Sequence, residues 1–311
     1  MRVVLSGRLA LSAERSNAYA TYWSSVPLAA GVSDATRAVI FIHGEERDAD
    51  VYRGVIERAR AAAGSLGAEA VLVVPQFLET QDIDPGDPQR LLAWERGGWI
   101  SGLPATAGAP VSSFAVLDAL IARLADRTHF PRMQTIVVAG HSAGAQLIQR
   151  YAAVGKAGRL FGGVAVRYVV ANPSSYLYFD NRRPDGKGGF AAYDATRCPS
   201  FDEWKFGMVD PPPYVGNVDP SAVEHRYAGE HVAYVVGGDD TDPQQAALDK
   251  SCAAEAQGPT RYARAHNYVA YLRARHASLA QPLVVVPGVA HSASGIYLSP
   301  LVLPLLFGGS Q

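Results

Sequence analysis

Short apolar runs rich in β-branched residues recur along the chain, with longer mixed stretches between them. Continuous apolar runs of this length are typical of strands that are buried on both faces of a sheet. The pattern therefore predicts six central strands. These are residues 37–42, 70–77, 135–139, 167–171, 231–236 and 282–286.

The stretches between these runs have the spacing of amphipathic helices. They cover residues 51–63, 112–125, 142–154 and 260–276, and in the second of these the apolar side chains recur on one helical face. Alternating strands and helices predict an α/β fold, with a mostly parallel sheet covered on both sides in three layers. Residues 2–11 alternate with period two around Gly7, which predicts an antiparallel hairpin or an edge strand.

Residues 176–230 interrupt this alternation. The segment is rich in Pro, Gly and aromatic residues, and its run Pro211-Pro212-Pro213 is incompatible with a helix interior or a central strand. A loop region of this length inside a compact domain is usually a lid or a binding insertion. We therefore expect a single domain, with a core of residues 1–175 and 231–311 and a lid or cap of residues 176–230.

The composition is that of an ordinary globular protein, with 48% hydrophobic and 18% charged residues and a formal net charge of −1. This charge creates no field that would attract nucleic acid or anionic lipid, and no basic run is interleaved with aromatic residues. No apolar stretch approaches the roughly 18 residues of a membrane span. We expect neither a nucleic-acid partner nor a membrane span, and the oligomeric state stays open.

The chain has two cysteines, Cys198 and Cys252. They are either independent thiols or a single bridge, which would tie the insertion to the core and favour an oxidising compartment. The first 25 residues lack the apolar segment of a signal peptide. A native start at Met1 would favour the cytoplasm, whereas a removed leader together with the bridge would favour the periplasm or secretion.

The sequence Gly140-His141-Ser142-Ala143-Gly144 lies between a predicted strand and a predicted helix. This G-x-S-x-G pattern in this context is typical of a sharp strand-to-helix turn that lifts a serine hydroxyl above the sheet edge. The helix N-terminus favours developing negative charge, so the backbone N–H of Ala143 is placed to donate to an oxyanion. We predict that Ser142 is a nucleophile.

A nucleophilic serine needs a base and an acid that orients it. Three carboxylates, Asp239, Asp240 and Asp242, follow the strand that ends near residue 236. His291 follows the last predicted strand after a short loop. The order Ser, Asp, His is the one expected for such a triad on an open α/β sheet.

From about residue 37 to 307, the chain resembles the α/β-hydrolase family of serine hydrolases. In that family the acid commonly comes three residues after a glycine at a strand end, which favours Asp240 and leaves Asp239 and Asp242 open. The resemblance also implies that the sequence His43-Gly44 after an early strand belongs to an oxyanion loop, with Gly44 allowing close approach and Glu45 donating its backbone N–H. A glutamate at this position departs from the small or apolar residues that are commoner there.

Several aromatic residues near the expected site are candidates for lining a substrate pocket. The alternatives for them are packing in the core, anchoring of loops, or a small core within the insertion. The candidates are Trp94, Trp99, His141, Tyr176 and Trp204.

Taken with the resemblance, these residues imply two-step acyl transfer, in which His291 takes the Ser142 proton and Asp240 fixes the imidazole tautomer. The expected activity is hydrolysis of a carboxylic ester, with a small-molecule or polymeric ester as the substrate. An acyltransferase, a thioesterase, a lactonase or a peptidase would use the same machinery, and a non-catalytic binding protein of the same fold is a remoter alternative. No cofactor and no metal are expected.

Overall fold

The computed structural model describes residues 4–13, 16–84, 86, 88–156 and 163–308. Its centre is one eight-stranded sheet with the order β1-β2-β4-β3-β7-β8-β11-β12. These strands are β1 (Gly7–Ala13), β2 (Ser16–Ser24), β3 (Arg37–Ile42), β4 (Ala70–Gln76), β7 (Thr135–His141), β8 (Ala165–Ala171), β11 (Val232–Gly237) and β12 (Leu283–Val286).

Two small pairs lie outside this sheet. β5 (Leu78–Glu79) pairs parallel with β6 (Ala93–Trp94), and β9 (Arg182–Pro184) pairs antiparallel with β10 (Phe190–Ala192). All six central strands expected from the apolar runs are present, with ends shifted by two residues or fewer.

The register brings the carboxyl ends of the central strands to a single edge of the sheet. β3 pairs with β7 through Ile42 and Gly140, and β7 pairs with β8 through His141 and Ala171. β1 and β2 form an antiparallel hairpin at the lateral edge of the sheet beside β4, one of the two arrangements that the period-two pattern predicted. Residues 2 and 3 of that pattern lie outside the described residues. The loops after the central strands are thereby collected along one rim, where ligands bind in open α/β sheets.

Helices cover both faces of the sheet. They are α1 (Ala49–Ala62), α2 (Ser113–Ala125), α3 (Ala143–Val154), α4 (Pro220–Ala228), α5 (Cys252–Glu255), α6 (Arg261–Arg275), α7 (Ala293–Tyr297) and α8 (Leu303–Phe307). One large apolar core contains buried residues of α2, α3, α4 and α6, and a second core on the other face contains residues of α1, α7 and α8. The predicted three-layer α/β architecture is confirmed.

Residues 176–230 contribute to the core as well as to the surface. Tyr176, Tyr178 and Phe179 are buried in the larger core. Helix α4 also lies in this segment, and sequence analysis missed it because the run of prolines ahead of it dominated the pattern. The helix begins with Pro220 in its first turn, where the missing N–H costs nothing, and the side chain of Asp219 caps it.

A disulfide links Cys198 to Cys252, with 5.7 Å between their Cα atoms. The bond joins the segment 176–230 to the start of α5, which follows β11. Of the two arrangements that the sequence left open for these cysteines, the structure contains the bridge.

Candidate active site

Ser142 occupies the turn between β7 and α3. Its backbone has φ 58° and ψ −118°, a conformation that non-glycine residues rarely adopt and that marks local strain. The two flanking glycines make the turn possible by letting backbone segments approach closely. A Cβ on Gly144 would lie 2.5 Å from the carbonyl oxygen of His43, and one on Gly140 would lie 2.9 Å from the carbonyl carbon of Gly144.

The structure brings Ser142, His291 and Asp240 together at the carboxyl edge of the sheet. The Ser142 Oγ lies 3.0 Å from Nε2 of His291, and Nδ1 of His291 lies 2.9 Å from Oδ2 of Asp240. An ionised carboxylate only accepts hydrogen bonds, so Nδ1 carries the proton and Nε2 accepts from the serine hydroxyl. This arrangement suits removal of the serine proton by the imidazole.

Asp240 is buried and held by more than the histidine. The Asn172 amide donates to Oδ2 at 2.7 Å, and the Arg261 guanidinium lies 3.5 Å from Oδ1. Burial raises the pKa of the Asp240 carboxyl, but the hydrogen bond and charge of His291, with Arg261 and Asn172, outweigh burial and hold that pKa below its usual value. Asp240 is therefore a carboxylate at neutral pH.

The other two aspartates of this turn are placed differently. The side chains of Asp239 and Asp242 are exposed, whereas Asp240 is 4% exposed. Among the three, Asp240 is the residue in contact with His291.

His141 lies behind the reacting imidazole. Its ring packs against that of His291 with 4.5 Å between centroids, and its Nδ1 lies 3.2 Å from the hydroxyl of Tyr52. Burial, together with the charges of His291 and Arg261, lowers the pKa of His141 well below its usual value. The ring is consequently neutral at neutral pH and supports His291 without competing for its proton.

The expected oxyanion loop follows β3. Gly44 lies close to Ser142, since a Cβ built on it would be 3.9 Å from the Ser142 Cβ and 2.8 Å from the Tyr52 hydroxyl. Within the described residues, no hydrogen bond occupies the backbone N–H of Glu45 or of Ala143. Both are thus available as donors to a substrate oxygen.

Two side chains hold this loop in place. His43 donates from Nδ1 to the Gly44 carbonyl at 2.8 Å and accepts the Phe77 N–H at Nε2 at 2.9 Å. Arg47 donates to the Glu45 carbonyl at 2.7 Å and forms an ion pair with Asp82 at 2.6 Å. The peptide groups around Gly44 and Glu45 are accordingly fixed before any substrate arrives.

A cavity of about 230 Å³ opens beside Ser142. Polar and charged side chains form much of its wall, and small residues of the loop after β11 close it. The lining residues are Glu45, Ile100, Ser142, Ala143, Gln146, Ser174, Lys205, Ala246, Ala247, Leu248 and Asp249.

The tryptophans considered for the pocket are placed elsewhere. Trp94 and Trp99 are buried in the larger core, and Trp99 stacks on Phe77 at 5.4 Å and packs edge-on against His43 at 4.9 Å. Trp204 is half-buried and donates to the Ser101 carbonyl at 2.7 Å. These indoles cover their large apolar surfaces by packing against neighbouring residues, and in this way they hold the adjacent loops in place.

Tyr176 is also a core residue, stacked on Tyr268 with 4.5 Å between centroids. Of the five aromatic candidates, none is among the described residues that line the cavity at Ser142, and only His141 lies in the site, behind His291. Of the alternatives that the sequence left open for these aromatics, the structure contains core packing and loop contacts, and the cavity beside Ser142 has a largely polar wall.

Sequence reasoning missed several residues that support the site. Tyr52, Asn172 and Arg261 come from three separate elements, and only Asn172 follows a strand end, where a functional residue was to be expected. Lys205 lies within residues 176–230, among residues that carry no motif. No local pattern marks such residues, because they reach the site through tertiary packing.

No family model matches the chain, and no curated protein matches it. Solved structures do. The chain superposes on poly(aspartic acid) hydrolase-1 from Sphingomonas sp. KT-1 with a TM-score of 0.65 and 21% identity, over 98% of this chain and 99% of that chain. It also superposes on a poly(3-hydroxybutyrate) depolymerase from Bordetella parapertussis with a TM-score of 0.58 and 21% identity, over 93% and 86% of the two chains.

These likenesses extend over nearly the whole chain and agree with the sheet order and the helical layers. The protein has the α/β-hydrolase fold. Across the parts of the chain that the structure describes, no helix is both long enough and apolar enough to span a membrane, and no group of three or more His, Cys, Asp or Glu could hold a metal ion.

Proposed function

We propose that this protein is a serine hydrolase that cleaves carboxylic esters through an acyl-enzyme intermediate. The observation that carries the proposal is the contact chain from Ser142 Oγ to His291 at 3.0 Å and from His291 to Asp240 at 2.9 Å, on a strained turn at a helix N-terminus. A buried carboxylate, an oriented imidazole and a strand-end serine that borders a cavity form the arrangement that acyl transfer requires.

In the proposed reaction, His291 removes the Ser142 proton as the hydroxyl oxygen attacks the substrate carbonyl. The N–H groups of Ala143 and Glu45 hold the resulting oxyanion, and each such donor stabilises the transition state by roughly 3 kcal/mol. His291 then protonates the leaving alcohol. In the second step His291 takes a proton from the attacking water and returns it to Ser142 as the bond between the acyl group and Ser142 breaks. Asp240 keeps the imidazole in the required tautomer throughout.

The names of the two structural neighbours support hydrolysis of an acyl bond. One is named for hydrolysis of poly(aspartic acid) and the other for depolymerisation of a polyester. We extend the proposal to residues 176–230 as an insertion on the substrate side, because Lys205 of this segment lines the cavity at Ser142.

Labelling with a fluorophosphonate, read by intact-protein and peptide mass spectrometry, tests the proposal together with a p-nitrophenyl ester series of increasing chain length. We expect one adduct on Ser142, and neither adduct nor turnover in Ser142→Ala. Folded wild-type protein that takes no adduct and hydrolyses none of the esters would contradict the proposal. The Ser292→Ala variant is a matched control, since Ser292 neighbours the histidine but is not placed as the nucleophile.

A further inference from the structure

The cavity beside Ser142 has a wall of hydrogen-bond donors and cations. Lys205 reaches it from the insertion, and its Nζ lies 3.6 Å from Oδ2 of Asp249. This distance allows an ion pair but exceeds a hydrogen bond. The ammonium also lies 5.3 Å from the centroid of the Phe206 ring. An ammonium has three N–H donors, so the contact with Asp249 leaves donors for a bound molecule.

Gln146 adds a second donor. Its Oε1 accepts hydrogen bonds from Ser175 Oγ at 2.9 Å and from Arg150 Nη2 at 3.3 Å. A guanidinium can only donate, so the atom of the Gln146 amide that faces Arg150 is the oxygen. The Gln146 NH₂ group is therefore left for the cavity, one helical turn after Ser142.

Arg150 places a buried positive charge behind this wall. It is fully buried, and its guanidinium donates to neutral groups, including the carbonyls of Lys205 at 3.1 Å and Ile100 at 3.3 Å. No described carboxylate forms an ion pair with it. Burial lowers the pKa of Arg150 to about 9, so it stays cationic at neutral pH.

The other charges near the cavity have opposite charges beside them. Arg261 forms an ion pair with Asp240, and Lys205 lies 3.6 Å from Asp249. Arg264 lies near the carboxylates of Asp249 and Glu255. Arg150 has no such ion pair among the described residues, and a buried charge without a counterion is unfavourable.

We propose that this cavity is a carboxylate-binding subsite, and that the substrate carries a carboxylate a few atoms from its scissile carbonyl. The proposal rests on the serine hydrolase function proposed above. Lys205 and the Gln146 amide hold the carboxylate directly, and Arg150 stabilises it through the field behind the wall. A cavity of about 230 Å³ holds roughly seven atoms the size of a water molecule, which matches a short diacid monoester.

Kinetics with matched ester pairs test this. In one pair the charge is on the acyl side, with p-nitrophenyl hydrogen glutarate against p-nitrophenyl pentanoate. In the other it is on the leaving group, with 4-carboxyphenyl butyrate against its methyl ester. The readout is the ratio of kcat/KM for the charged ester to that for the neutral ester, in wild type, Lys205→Met, Lys205→Arg and Lys187→Met.

We expect Lys205→Met to lower this ratio by about 10- to 100-fold in at least one pair, the range that a hydrogen bond between charged groups supports. Lys205→Arg should keep most of the preference, because it retains the cation. Lys187 is an exposed lysine of the same insertion, so Lys187→Met should leave the ratio unchanged. The pair that responds shows on which side of the ester the carboxylate lies.

Ratios that are equal in wild type and Lys205→Met for both pairs would overturn the subsite. If turnover then still requires Ser142, the serine hydrolase function stands without the subsite. Absence of both turnover and fluorophosphonate labelling would overturn the two proposals together. Thermal unfolding of Lys205→Met and Lys205→Arg establishes that each variant is folded before the ratios are compared.

Discussion

The two sides of Ser142 are built on different physical principles. On one side, here termed the reacting side, the ring of His141 packs between Tyr52 and the imidazole of His291. Burial keeps His141 neutral. On the other, the binding side, Lys205 and Arg150 place positive charge around a cavity. Packing on the reacting side fixes the distances between these side chains, whereas the cations on the binding side set the electrostatic field in the cavity.

This difference separates two tasks. In the proposed mechanism, proton transfer from Ser142 depends on a few tenths of an ångström, which packing and short hydrogen bonds supply. The proposed selection of a charged substrate depends on the charges of Lys205 and Arg150, which act over a longer range and are sensitive to salt. Changes to the groups that hold the Ser142 proton should therefore appear mainly in kcat, and changes to the cations of the binding side in substrate preference. Changes to the groups that support either side should appear in stability.

The largest effect is expected from breaking the reacting side at Asp240→Asn. An amide in place of the carboxylate favours the wrong imidazole tautomer, and we expect kcat to fall by about 10⁴-fold while the protein remains folded. Steady-state kinetics on a neutral p-nitrophenyl ester provide the measurement. Asp239→Asn, which alters the exposed neighbour, should change kcat by less than twofold. A loss of less than tenfold in Asp240→Asn would remove Asp240 from the mechanism.

Removing the disulfide affects the binding side, because Cys198 and Cys252 join the insertion that carries Lys205 to the helix that follows Asp249. For a bridge between residues 54 positions apart, we expect the double variant Cys198→Ser, Cys252→Ser to lose about 2–4 kcal/mol of unfolding free energy. Denaturant titration with and without reductant measures this. Wild type in reductant should approach the variant, and equal stability of oxidised and reduced wild type would count against a structural role.

The smallest effect concerns the pH dependence that His141 confers. The unfolded chain protonates this residue as the pH falls through about 6.5, whereas burial keeps the folded ring neutral. The unfolded state then binds more protons, so the stability of the folded protein decreases as the pH falls below about 6.5, by at most about 1.4 kcal/mol per pH unit.

His141→Gln removes this titration and retains an acceptor for the Tyr52 hydroxyl. We expect its unfolding free energy to depend less steeply on pH than that of wild type between pH 6.5 and 5, as measured by denaturant titrations. The exposed His225 supplies the control, and His225→Gln should keep the wild-type slope. Identical slopes in His141→Gln and wild type would mean that the buried ring takes up a proton in the folded state.

Most of the sheet and the order of Ser142, Asp240 and His291 could be predicted from sequence, because strands buried on both faces leave continuous apolar runs and the strand-end motifs are local. The cavity could not. Its donors come from Gln146 on a helix and Lys205 in an irregular segment, and only tertiary packing brings them together. The sequence left the tryptophans open between pocket and core for a related reason, since an aromatic residue near a motif in sequence can equally belong to the core below it.

The disulfide also makes residues 198–252 a covalently closed ring. The ring contains Lys205, Asp240 and Asp249, so the proposed triad acid and two charged residues of the cavity wall belong to one closed segment. Residues 216–219 are exposed within it. A protease that cuts the chain there releases no fragment, because each half keeps one cysteine of the bridge. The nicked protein would remain one covalent molecule, with Asp240 and the cavity wall still attached, until a reductant breaks the disulfide.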